Sequence, residues 1–245
     1  MSRGSTANRT VKLDENRAAV FRRKLRAWYR RNARDLPWRK TRDAYHVLVS
    51  ELMLQQTQVS RVVTYYADFL DRFPTLSHVA QAKPAAVLEA WSGLGYYARA
   101  RNLHALAKQV TDDGRNSAPL PSAAEELRSL PGIGAYTAGA VSSFAYERRE
   151  ALVDTNVARV LRRAFAPRID PKTTPGQRKT WELANALLPR TGRATWTHNQ
   201  ALMELGALVC TARIAHCGRC PVRSVCRSAG KGGVTAAKHR GASVA

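Results

Sequence analysis

Leu130-Pro131-Gly132-Ile133-Gly134 is the stretch whose reading decides the fold. It separates two segments, about 122–130 and 135–146, whose apolar spacing predicts helices. Glycines at alternating positions of so short a turn leave backbone N–H groups unshielded at the start of the second helix. That helix end also carries the positive pole of the helix dipole, so the turn can hold a phosphate without reading sequence. An ordinary helix–turn–helix connection uses the same residues, because Pro and Gly punctuate loops of every kind.

The rest of the chain weighs between these two readings. Its 245 residues carry 40 Lys and Arg against 18 Asp and Glu, a formal net charge of +22. A charge of that size favours a polyanionic partner, and nucleic acid leads because basic side chains displace condensed counterions from its backbone. Basic tails on a neutral domain are the alternative. Arg22, Arg23, Lys24 and Arg26 cluster near one end, and Lys231, Lys238 and Arg240 near the other. No apolar run reaches the roughly 18 residues of a membrane span. Met1–Asn8 lacks the apolar core of a secretory signal, so a cytoplasmic protein is expected.

Outward from the hairpin the pattern is helical almost throughout. Val20-Phe21, Leu25 and Trp28-Tyr29 recur at helical spacing until Leu36-Pro37-Trp38 ends the segment. Val47, Leu48 and Leu52, then Val59, Val62, Val63 and Tyr66, mark two further helices. Alternating strand patterns bounded by hairpin turns are absent, which predicts an all-α fold of short helices. Residues 1–16 and 229–245 are polar, glycine-bearing or basic and are expected to be disordered tails around a domain over 17–228.

Three features carry chemistry. Cys210-x6-Cys217-x2-Cys220-x5-Cys226 gathers all four cysteines within 17 residues, which in a reducing compartment points to metal. A four-thiolate zinc site usually has two Cys-x2-Cys knuckles, and only one is present; the spacing leans toward an iron–sulfur cluster, with disulfides a third alternative. Glu51 shares a helix face with Leu48, Leu54 and Gln55, where desolvation would raise its pKa and suit it to general acid work. A lone helical Glu is often solvated and inert, but Gln55, Gln56 and Gln58 beside it could bond base edges. Asp154 stands at a helix N-cap ahead of Asn156, Val157, Val160 and Leu161. Capping alone would explain it; a carboxylate kept ionised by the dipole, facing a developing cation, is the functional alternative.

Together these pieces resemble the helix–hairpin–helix glycosylases, specifically the MutY-type adenine DNA glycosylases. The resemblance rests on Leu36–Arg39, Ser50–Val59, Gly93-Leu94-Gly95-Tyr96-Tyr97-Ala98-Arg99-Ala100-Arg101-Asn102, the hairpin with Tyr136-Thr137-Ala138, Asp154-x-Asn156 and the four cysteines, in order over about 20–228. It implies a two-lobed helical fold with a DNA-binding cleft and one 4Fe–4S cluster on Cys210, Cys217, Cys220 and Cys226. It implies a monomer acting on double-stranded DNA that contains a mispair, in the cytoplasm on the nucleoid. By resemblance Glu51 protonates the departing adenine and then helps activate water, Asp154 stabilises the cationic sugar, and Tyr136 and Asn156 support them. Trp38, Arg39 and Gln200 build the adenine pocket, Gln55 and Tyr96 penetrate the DNA stack, Gln56 lies beside them, and Gly132 and Gly134 hold backbone phosphate.

Two departures bear on specificity. Longer family members add a C-terminal 8-oxoguanine-recognition domain, whereas 19 residues follow Cys226 here, so the match is to the catalytic part. Thr155 stands where glycine is commonest. A thymine/uracil mismatch glycosylase of the same fold shares the tyrosine but lacks the helix glutamate, so Glu51 favours adenine. A non-catalytic iron–sulfur DNA-binding protein is the rival from another class. Endonuclease III relatives carry at position 136 a lysine that attacks the sugar; a phenol cannot form that Schiff base. Borohydride should therefore trap no covalent adduct between this chain and DNA. A stoichiometric adduct that disappears when Tyr136 is replaced would show a bifunctional enzyme instead.

Overall fold

Asp14 starts the first helix: its carboxylate accepts the Arg17 N–H at 3.1 Å, capping α1 (Glu15–Asn32). The computed structural model describes residues 13–111 and 119–229, and residues 15 and 16, expected in the N-terminal tail, belong to α1. The remaining tail expectations, over 1–12 and 230–245, lie outside the described residues. Ala18, Phe21, Leu25 and Tyr29 form the buried stripe of α1, at the three- and four-residue spacing that one helix face requires.

The chain divides into two units. One comprises 34–152 and 190–196, the hairpin unit; the other comprises the remaining described residues, the cysteine unit. In the hairpin unit a single 3-10 turn (Pro37–Arg39) precedes α2 (Ala44–Leu54), α3 (Val59–Arg72), α4 (Leu76–Gln81), α5 (Pro84–Ala90), α6 (Ala98–Thr111), α7 (Ala124–Leu127) and α8 (Ala135–Tyr146). Helices α2 and α8 pack on one another and are buried along nearly their whole length, from Tyr45 to Met53 and from Thr137 to Ala145. Trp91 and Phe69 meet edge to face at 5.6 Å in the core. The helix expected over about 122–130 is only Ala124–Leu127, because the Leu130 N–H turns back to Leu127 and the Ile133 N–H to Leu130, drawing the last residues into the hairpin.

The cysteine unit holds α1, α9 (Thr155–Phe165), α10 (Thr174–Ala186) and all but the first residues of α11 (Gly192–Leu208), followed by the loop bearing the four cysteines. Phe21 of α1 and Phe165 of α9 stack edge-on at 4.9 Å. Arg17 ties α1 to the loop, donating to the carbonyls of Val225 at 2.7 Å and Ala164 at 2.9 Å. Among the described residues there is no strand, only an isolated bridge between Cys210 and Ala215, and the all-α expectation stands. None of the described helices is long and apolar enough to cross a membrane.

His198 on α11 is fully buried, and neither ring nitrogen has a hydrogen-bond partner. Burial, aided by the charges of Arg26 and Arg22, holds its pKa down at about 3. The unfolded imidazole titrates near 6.5, so between these values the unfolded chain binds the extra proton and stability falls as pH drops. His198→Leu should therefore match the wild type in melting temperature near pH 7 and exceed it increasingly toward about pH 5. Parallel melting curves at both pH values for the two proteins would refute this account.

Candidate active site and cysteine cavity

The hairpin has the geometry that its glycines require. Gly132 sits at φ +74°, and a Cβ there would lie 2.5 Å from the Asn102 side chain. Gly134 is the N-cap of α8, exposed, with no side chain covering the helix end. Two residues further on, the Tyr136 hydroxyl donates to Glu51 Oε2 at 2.7 Å. Glu51 is 3% exposed, set among the apolar residues of α2 where α8 packs against it. A carboxylate so enclosed beside a phenol is equipped to hold and deliver a proton.

Helix α2 stops at Leu54, so the amide cluster is not on a helix surface as expected. Gln55 is the C-cap, Gln56 has left-handed backbone at φ +56°, and Gln58 caps α3. Gln55 Nε2 donates to Thr137 Oγ at 3.3 Å, which places it beside the Glu51–Tyr136 pair. Tyr96, at φ +48°, is 58% exposed. The Trp38 indole is buried edge-on against Tyr66 at 5.5 Å, and Arg39 next to it donates to the Arg34 carbonyl at 3.0 Å. Gln200 belongs to the cysteine unit and is 5% exposed.

Sequence reasoning missed Arg99, 6% exposed beneath these turns. Its Nη1 donates to the carbonyls of Leu52 (2.7 Å), Met53 (2.8 Å) and Gln55 (2.7 Å). Its Nη2 reaches the carbonyls of Gly95 (2.8 Å) and Leu94 (3.2 Å) and the Thr57 hydroxyl (3.3 Å), and Nε reaches the Tyr96 carbonyl (3.3 Å). Its guanidinium lies 5.5 Å from the Trp91 ring and 5.6 Å from that of Tyr96.

In the cysteine unit Asp154 caps α9, accepting the Val157 N–H at 2.6 Å and the Asn156 amide at 3.1 Å. Arg159 donates to Asn156 Oδ1 at 2.6 Å, to the Gly206 carbonyl at 2.9 Å and to the Cys210 carbonyl at 2.8 Å. Gly206 permits this approach, since a Cβ there would lie 2.7 Å from Asn156 Cβ. The Asp154 carboxyl opens on a cavity of about 590 Å³ whose lining includes Arg159, Arg162, Lys172 and Trp181. The expectation that the dipole keeps Asp154 readily ionised needs correcting. Burial raises its pKa, and the hydrogen bonds from Val157 and Asn156 with the Arg159 charge offset that only in part.

Among the described residues no three His, Cys, Asp or Glu side chains converge closely enough to hold a single metal ion. Cys210, Cys217, Cys220 and Cys226 instead line one cavity of about 200 Å³ with Val209, Arg163 and His216. Burial pushes the Cys220 thiol up to about 11 and raises that of Cys226. Arg163 donates to Cys210 Sγ at 3.3 Å. Arg213, Arg219, Arg223 and Arg227 on this loop are exposed, but Arg219 and Arg227 also donate to the Leu208 and Phe165 carbonyls.

The chain belongs to the HhH-GPD superfamily of base excision DNA repair proteins, whose pattern matches residues 49–186, more than half of its length. Within that class it is 47% identical over 204 residues to the adenine DNA glycosylase of Mycolicibacterium smegmatis, covering 83% of this chain and 67% of that protein. The Homo sapiens adenine DNA glycosylase is 43% identical over 224 residues, covering 88% of this chain and 40% of the human protein. That of Rattus norvegicus is 44% identical, with 42% of its length covered, so the chain spans about two-fifths of these mammalian relatives. A thermostable thymine-DNA glycosylase superposes with a TM-score of 0.79 at 27% identity, over 89% of this chain and 99% of that one. Endonuclease III from a non-covalent DNA complex has the same fold, with a TM-score of 0.73 at 20% identity over 90% of this chain and 98% of that one.

Removing the amide that supports Asp154 should raise its pKa further. A carboxyl-carbon NMR titration is expected to place Asp154 above the ordinary aspartate range, near 3.9, and higher still in Asn156→Leu. An unchanged midpoint in the variant would show that this hydrogen bond does not tune the carboxyl.

Proposed function

We propose that this chain hydrolyses the N-glycosidic bond of an adenine mispaired with 8-oxoguanine or guanine in double-stranded DNA, acting as a monofunctional repair glycosylase. The observation that carries this reading is the 2.7 Å bond from Tyr136 to the buried Glu51. With the base flipped from the stack, protonated Glu51 gives its proton to the adenine ring as the C–N bond breaks. The departing base leaves a cationic sugar, which the ionised form of Asp154 stabilises. Water then adds to the sugar carbon and returns its proton to Glu51, so the acid is regenerated. Tyr136 holds the Glu51 carboxyl, and Asn156 holds that of Asp154. Trp38, Arg39 and Gln200 receive the base, and the amides after Gly132 and Gly134 hold phosphate.

The four cysteines fit a 4Fe–4S cluster better than zinc. Thiolates on one zinc ion stand roughly 3.8 Å apart, as bonds of about 2.3 Å in a tetrahedron dictate, whereas these four surround a cavity and do not converge on a point. Bound there, the cluster supplies four iron–thiolate links that cross-brace the loop. The protein on this reading works as a monomer on the chromosomal DNA of the cytoplasm.

The likeness to a thymine-DNA glycosylase favours a second reading, excision of thymine or uracil opposite guanine. Duplexes holding each mispair, incubated with the protein and then treated with alkali, decide between them. Breaks are expected at adenine, and Glu51→Gln should slow them by about 10²–10⁴-fold. Breaks only at thymine or uracil would overturn the adenine assignment, and binding without any breaks would make the protein a non-catalytic DNA binder. The purified protein should be brown and contain iron and sulfide in equal amounts; a colourless protein with stoichiometric zinc contradicts the cluster.

A further inference from the structure

Arg99 does more than close helix α2. A C-terminal cap needs only the free carbonyls of the last turn, which Leu52 and Met53 supply. The bonds to Leu94, Gly95 and Tyr96 bring nothing to α2; they belong to the turn between Trp91 and α6. The two terminal nitrogens divide this work within one rigid plane, Nη1 on the end of α2 and Nη2 mainly on the other turn.

Both gripped turns contain a residue with a Cβ in left-handed backbone, Gln56 at φ +56° and Tyr96 at φ +48°. Among the described residues the only other such residue is Glu147, which ends α8. That conformation is disfavoured for side chains of this size and persists where the surroundings impose it. The second turn also presents Tyr96 and Tyr97 to solvent, 58% and 40% exposed, two of the four large apolar side chains so exposed among the described residues. An aromatic ring held outward on a constrained turn has the form of a wedge for stacked bases.

We propose that Arg99 is a positioning residue for base flipping: its guanidinium locks the Gln55–Gln56 turn and the Tyr96 turn into one wedge that opens the DNA stack beside the target base. This rests on the reading of Gln55 and Tyr96 as stack-penetrating residues. A lysine in its place keeps the charge but offers a point donor that cannot span both turns.

The test uses the full chain and duplexes with adenine, or the fluorescent adenine analogue 2-aminopurine, at the target position. Arg99→Lys is expected to lower the single-turnover rate at least tenfold and to diminish the 2-aminopurine signal, with DNA affinity changed less than threefold. On a duplex whose target adenine faces an abasic gap, where the stack is already open, wild type and variant should converge. Tyr96→Ala should show the same substrate dependence, and the double variant should be no worse than Tyr96→Ala alone. Thr57→Val, which removes one acceptor of Arg99 and the hydroxyl's own 3.4 Å bonds to the Gln55 and Leu94 carbonyls of the same two turns, should give a smaller loss confined to the closed stack, and it serves if Arg99→Lys does not fold. Equal losses on both duplexes, or an undiminished flipping signal in these variants, would reduce Arg99 to a helix cap. If Tyr96→Ala itself leaves flipping unchanged, the stack-penetration reading fails and this proposal with it. If only Arg99→Lys leaves it unchanged, that reading stands and the positioning role alone falls. The fluorescence arm remains decisive even if adenine is not the base released.

Discussion

A buried guanidinium bonded to neutral oxygens holds the end of the helix that carries Glu51. Burying an unpaired charge costs several kcal/mol, and desolvation accordingly lowers the Arg99 pKa. What offsets the cost is geometry: five N–H donors shared among seven oxygens in charge-assisted hydrogen bonds, together with the negative end of the α2 dipole. Two aromatic rings flank the cation at 5.5 and 5.6 Å. A carboxylate partner would satisfy the charge with two bonds and leave the carbonyls of Leu52, Met53 and Gly95 without donors. The absence of one among these contacts is therefore what lets a single residue join two turns.

Glu51 and Asp154 are held by different devices, each within its own unit. Glu51 is buried in an apolar helix pair, where its carboxylate accepts the Tyr136 hydroxyl. Asp154 takes a backbone N–H and an amide at a helix start, both of which favour the anion, although burial still raises its pKa. Asp154 is also connected through Asn156 and Arg159 to the carbonyl of Cys210, so the cap of α9 and the first cysteine share one arginine. The loop that holds the cysteines thereby helps to set the position of the amide that supports Asp154.

Features that depend on neighbours in sequence were legible before any coordinates. Asp154 was readable as an N-cap, the Pro-Gly-x-Gly turn as a hairpin, and α2 and α3 from their apolar spacing. The Glu51–Tyr136 bond, spanning 85 residues, was reachable only through resemblance, because no local rule pairs two helices so far apart. Arg99 lies within the Gly93–Asn102 motif, but its role is not legible there. An arginine that caps a helix ending about 45 positions earlier leaves no periodic signal, and basic residues are ordinarily taken as surface. Arg159 was more accessible, since it follows Asn156 by three positions on α9, a spacing at which helical side chains meet. The left-handed backbone of Gln56 and Tyr96 was invisible because neither is glycine, and tertiary hydrogen bonds impose it.

The same arginines qualify what the net charge of +22 means. Arg17, Arg99, Arg159, Arg163 and Arg227 all donate to main-chain carbonyls, and Arg99 and Arg159 do so with several nitrogens at once. Their charge still contributes to the long-range field that draws a polyanion. The donors engaged in this way are not free for phosphate, whereas Arg213 and Arg223 on the cysteine loop are exposed. Part of the basic composition thus does structural work, closing helix ends and loops in a fold of short helices that has many of both. Charge alone would have pointed to nucleic acid for a reason that is only partly the operative one; the placement of individual guanidiniums separates attraction from architecture.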